Sequence, residues 1–114
     1  MINVSPWKTT TLAYATDDDL TPEVNLEANY KFLTVLFPAM ESSTLTVHVS
    51  DVPGGTFIPV HAFDDDATGS FAHATSASTG SIAYTFRIGG VQFIKISCGT
   101  GQTANRVIKV RGFN

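Results

Sequence analysis

Polar and apolar residues alternate along much of the chain. From residue 23 to 32, Val24, Leu26, Ala28, Tyr30 and Phe32 interleave with Glu23, Asn25, Glu27, Asn29 and Lys31. A period of two over ten residues is the pattern of a half-buried strand. A helix competes for this stretch. Thr21-Pro22 would serve as its cap and first residue, and Leu26, Tyr30, Leu33 and Phe37 would form its stripe. The strand is the preferred reading, starting as late as Asn29. The apolar run Leu33-Thr34-Val35-Leu36-Phe37 breaks the alternation, so the strand's end is expected to be buried on both faces.

Further alternations follow. Leu45, Val47 and Val49 oppose Thr44, Thr46, His48 and Ser50. Asp51-Val52-Pro53-Gly54-Gly55 has turn chemistry, and residues 56–63 then read as the returning strand, with Pro59 marking an edge or bulge. Ile82, Tyr84, Phe86 and Ile88 alternate up to Gly89-Gly90, which reads as a two-residue hairpin loop into residues 91–97. Residues 98–104 form a longer turn into a strand over 105–111, and residues 8–15 offer a strand near the start. These elements predict an all-β fold: one antiparallel β-sandwich of jelly-roll type over residues 1–114, seven to eight strands, and little or no helix. Two stretches read as long loops, the acidic 16–22 and the small, polar 64–81.

Composition agrees with this reading. At 114 residues, 43% hydrophobic and 15% charged, the chain has the length and apolar content of one packed domain. Ser and Thr total 24, which favours strands and turns. The single cysteine, Cys98, excludes an internal disulfide and a cysteine-built zinc site, and is expected to be an inert buried thiol. No apolar run is long enough for a membrane helix, and the first residues lack the features of a signal peptide.

The charge distribution is uneven. Residues 1–70 carry all ten acids against Lys8 and Lys31, a net of −8, whereas residues 71–114 carry Arg87, Lys95, Arg106, Lys109 and Arg111 and no acid, a net of +5. Such a split can close within the fold or head to tail between copies. Five cations over forty-four residues are too sparse for a nucleic-acid patch, so nucleic acid is not an expected partner.

Motifs for catalysis fail on context. Gly99-x-Gly101-x-x-Ala104 lacks the following helix that a dinucleotide site needs, because Arg106-Val107-Ile108-Lys109-Val110 is β-branched and alternating. The triplets Asp17-Asp18-Asp19 and Asp64-Asp65-Asp66 lack the spacing of a calcium loop. His48, His61 and His73 form no metal triad; His48 is expected opposite Ile58 or Pro59. The chain is therefore expected not to be an enzyme and to need no cofactor or metal.

The stretches Leu36-Phe37-Pro38-Ala39-Met40, residues 43–51 and residues 54–60, with residues 93–100 and 105–110 as a closing hairpin, resemble small β-sandwich virion proteins of tailed bacteriophages. The resemblance spans residues 28–63 and 82–111, and it lies in packing and turn motifs. It implies a structural protein of the virion, assembled in the host cytoplasm: a capsid-decorating (cement) protein that binds the major capsid protein or other virion proteins. A homo-oligomer on the particle, a trimer being one form, is the expected state, with no membrane involved. The expected interface residues are Trp7 and Lys8 in an N-terminal arm (residues 1–8), Phe71 in the 64–81 loop, and Lys109 and Arg111 on the outer face of the last strand. The Asp17–Asp19 loop of a neighbouring copy is one candidate for that basic face. The alternative is a carbohydrate- or receptor-binding module of a head fibre, neck or tail, stacking sugars on Trp7, Tyr14 and Phe71.

Overall fold

The computed structural model describes residues 4–13, 20–39, 43–60, 74–77, 81–98 and 104–114. These residues form seven strands: β1 (Lys8–Leu12), β2 (Val24–Phe37), β3 (Ser43–Ser50), β4 (Ile58–Pro59), β5 (Ala74–Ala77), β6 (Ile82–Cys98) and β7 (Arg106–Phe113). All seven join in one antiparallel sheet, in the order β1-β7-β2-β6-β3-β4, with β5 also bonded to β3. The all-β, antiparallel expectation holds, and the described residues contain no helix. Hydrogen bonding does not divide the strands between two separate sheets.

The two longest strands, β2 and β6, organise everything else. Near one end Val24 pairs with Ile94 and Asn25 with Phe93; near the other, Phe32 through Phe37 pair with Arg87 through Ile82. Between them the register shifts twice, around the pair Tyr30–Val91. On β2 the extra residues include Glu27, at φ 73°; on β6 they include Gly89 and Gly90, at φ 79° and 87°. Bulges of this kind bend a strand and sharpen its twist. Asn25 ties the bend together: its Oδ1 accepts from the Glu27 backbone N–H at 2.7 Å and from Gln92 Nε2 at 2.8 Å.

The bend separates two wings. One comprises β1, β7, the late half of β2 and the early half of β6; the other comprises the early half of β2, the late half of β6, and β3 with β4 and β5. Leu33, Val35, Phe86, Ile108 and Val110 from the first and Leu26, Leu45, Val47, Ile94 and Ile96 from the second belong to a single buried cluster. A single-layer sheet cannot fully bury a face, so the curvature that brings both wings to one core is what excludes water.

Several expectations change here. Gly89-Gly90 is not a hairpin loop. β6 runs through it, because β2 pairs with β6 on both sides of the glycines and leaves no room for β6 to fold back on itself. The closing hairpin is likewise absent: β7 pairs with β1 and β2 rather than with β6. The broken alternation at Leu33–Phe37 is a change of phase, not burial on both faces. Val24, Leu26 and Tyr30 are buried before the bulge and Leu33, Val35 and Phe37 after it, while Leu36 is 37% exposed. The returning strand is only Ile58–Pro59 within the described residues, and the 64–81 loop contains β5. The 16–22 loop ends as an extension of β2, with Leu20 bridging Ser97 and Thr21 exchanging bonds with Ile96: N–H to its carbonyl at 2.8 Å, and Oγ1 accepting from its N–H at 2.9 Å.

Two glycines serve different ends, and substitution should separate them. A Cβ on Gly112 would sit 2.5 Å from Cδ2 and 2.7 Å from Cγ of the buried Tyr30, whereas one on Gly89 would meet nothing within 4 Å and would suffer only the positive φ. Gly112→Ala should cost about 1–3 kcal/mol by overpacking, and Gly89→Ala about 1–2 kcal/mol by backbone conformation. In urea denaturation the Gly112 loss should shrink in a Tyr30→Ala background, while the Gly89 loss should not.

Candidate functional site

The sheet has two ends in its strand order, and each carries a distinct surface. The β1 end begins with the segment before β1. Val4 bridges Phe113, and Ser5, 1% exposed, donates its N–H to the Gly112 carbonyl at 2.8 Å while its Oγ accepts from the Gly112 N–H at 2.9 Å. A serine hydroxyl here replaces a ladder carbonyl, so the segment is held to β7 although Pro6 removes a donor. Arg111 Nε adds a bond to the Ser5 carbonyl at 2.9 Å.

That anchoring positions Trp7. The Arg111 guanidinium lies 4.6 Å from the centroid of its ring, a cation–π contact, and the indole stays 41% exposed. Lys8 forms an ion pair with Glu27, which joins β1 to the bulge of β2. Lys109 is exposed on the outer face with Arg111 and Val107, while Ile108 and Val110 point to the core, as the alternation of the last strand predicts. Lys109 is flanked across the sheet by Thr9 and Leu36. The same face carries Phe32 stacked on Phe113, 5.2 Å between centroids, and Arg87 beside Phe32. Of the expected interface residues, Trp7, Lys8, Lys109 and Arg111 thus fall on one end of the sheet. Phe71 and Tyr14 lie outside the described residues.

The β4 end is built on the β3–β4 hairpin. His48 faces Pro59, as the turn count predicts, and faces Lys95 on its other side. Ser50 Oγ accepts from the Val52 N–H and donates to the Val52 carbonyl, closing the start of the turn. Glu23 reaches across and accepts from the Gly54 N–H at 2.8 Å. Beside the turn lies a cleft of about 370 Å³ lined by Val49, Ser50, Asp51, Thr56, Ile58 and Val91. Val49 and Val91 pack on the core cluster, so its floor continues the hydrophobic interior. Ile58 is 58% exposed and Asp51 stands at its rim. The cleft escapes a reading of the sequence, because it depends on the bend that carries Val91 to β3 and β4.

No family model and no curated protein sequence matches the chain. Among solved structures, the crystal structure of the SPBc2 prophage-derived protein YomS is similar over 100% of both chains, with a TM-score of 0.54 and 14% identity. That likeness shows the fold.

Neither surface carries a group of three His, Cys, Asp or Glu side chains that would hold a metal, among the described residues. His61, His73 and both Asp triplets lie outside them. Cys98 is buried at the end of β6. No described helix is long and apolar enough to cross a membrane.

Two measurements check this geometry. Loss of the cation–π contact and the Ser5 bond in Arg111→Ala should lower stability by about 1–2 kcal/mol and shift Trp7 emission to longer wavelength, because the indole loses its cover. His48 is pulled below its ordinary pKa chiefly by burial, against a backbone hydrogen bond at Phe57 that raises it, with the Lys95 charge adding to the depression. The unfolded chain therefore binds this proton more readily. Stability should be flat above the ordinary histidine range and fall as pH drops below about 6.5, and His48→Gln should remove that part of the pH dependence.

Proposed function

We propose that this chain is a non-catalytic structural protein of a bacteriophage particle, one that decorates the head shell through protein–protein contacts with the major capsid protein or a neighbouring virion protein. The observation that carries the reading is the fold likeness, across the full length of both chains, to a prophage-derived protein. The character of the surface supports it. The exposed Trp7, capped by Arg111, is the mix of aromatic and arginine side chains that anchors protein interfaces. The same capping weighs against the sugar-binding alternative, since Arg111 occupies a ring face that a sugar would need.

Purified particles of the phage that encodes the chain, analysed by quantitative mass spectrometry, test the reading. The chain should be present in many copies per particle and should rebind stripped particles on co-sedimentation. Absence from the particles would overturn the proposal. So would saturable binding to a glycan array that is lost in Trp7→Ala.

A further inference from the structure

The two ends of the sheet carry groups of complementary character, an exposed aromatic with basic side chains at one and an apolar cleft with acidic side chains at the other. The β1 end projects a tryptophan, still exposed under Arg111, and carries the exposed Lys109 on the same strand as that arginine. The β4 end offers an apolar cleft with Asp51 at its rim and Glu23 at the same turn. The cleft is open on one side, and its volume of about 370 Å³ lies at the low end of the roughly 300–1,000 Å³ range of small-molecule sites. Its apolar lining, Val49, Ile58 and Val91, is what an indole prefers to water.

We propose that copies of this chain associate head to tail, with Trp7 of one copy seated in the Val49–Ile58–Val91 cleft of the next and Arg111 facing Asp51. The two surfaces sit at opposite ends of the strand order, β1 against β4, and Trp7 is not among the residues that line the cleft. Charge complementarity selects the occupant. The basic half of the sequence, net +5, supplies Arg111 and Lys109, and the acidic half, net −8, supplies Asp51 and Glu23. Two different surfaces meeting make a heterologous contact, which closes into a ring or propagates as a row. A shell-decorating protein gains avidity from such neighbour contacts. The inference deepens the proposed function and rests on it for its setting, but it concerns the purified chain, so self-association and particle binding fail independently.

Sedimentation velocity over a concentration series tests it, with circular dichroism confirming that each variant is folded. The wild-type chain should self-associate, more weakly at 0.5 M than at 0.05 M salt because the rim charges are screened. Asp51→Lys and Arg111→Glu should each weaken association about tenfold or more. Mixing these two variants should restore association beyond a dimer, because each copy then meets a partner of opposite charge at both of its surfaces. The double variant Asp51→Lys/Arg111→Glu should recover association. If Arg111→Glu fails to fold, Lys109→Glu and Ile58→Asp probe the two surfaces separately. A wild-type chain that stays monomeric at millimolar concentration overturns the proposal. So do single variants that associate like wild type, or a mixture that stays monomeric. Binding of a single-stranded oligonucleotide by the monomer, lost in Arg111→Glu, overturns it in favour of a nucleic-acid surface.

Discussion

The fold depends on one shared distortion, the paired bend of β2 and β6. Each strand inserts extra residues near its middle, Glu27 among those on one side and Gly89-Gly90 on the other, around the single pair Tyr30–Val91. Without that bend, β2 and β6 would form the middle of a one-layer sheet, and no helix among the described residues is there to cover either face. With it, Leu33 and Val35 on one wing share a core with Leu45, Val47 and Ile96 on the other, all at or near zero exposure. Burial of such side chains contributes roughly 1.5–3 kcal/mol each before chain entropy is counted. The bend is the geometric condition for collecting those contributions. Glu27 accepts an unfavourable φ for it, offset in part by the Asn25 bond and the ion pair with Lys8.

The same distortion creates the surfaces. It carries Val91 to the β3–β4 hairpin and so forms the cleft, and it places the late half of β2 where β7 can pair with it. β7 in turn is the template for the segment from Val4 to Trp7, through Ser5 and Gly112. Ser5 holds the backbone before Trp7 to β7 and Lys8 begins β1 after it, and the indole between them stays 41% exposed with the Arg111 guanidinium over its ring. Core, edge and candidate interface thus form one causal chain.

What the sequence discloses is what alternation encodes locally. β1, β3 and β7 lie close to their expected places, and the outward face of Val107, Lys109 and Arg111 follows from a period of two. Pairing partners were not legible. Gly89-Gly90 between two alternating runs has the same local signature whether the chain reverses or bends, since both need positive φ. The deciding factor is β2, some sixty residues earlier, whose two halves pair on either side of the glycines. One signal was present: burial in β2 changes phase between Tyr30 and Leu33, which a single regular strand with one buried face cannot do. The candidate interface was half legible for the same reason. Trp7, Lys8, Lys109 and Arg111 announce themselves by residue type, but the Asp51–Ile58 cleft exists only once distant strands meet.

The central claim is that β6 is one continuous, bent strand between β2 and β3. Backbone cross-strand nuclear Overhauser contacts in the isotopically labelled chain test it most directly. The account predicts contacts for the pairs Val35–Val110, Leu33–Phe86 and Val47–Ile96, and for Val24–Ile94 beyond the glycines. Contacts joining Ile88 to Val91 across a two-residue turn, or Ile96 to Val107 in a closing hairpin, would contradict it.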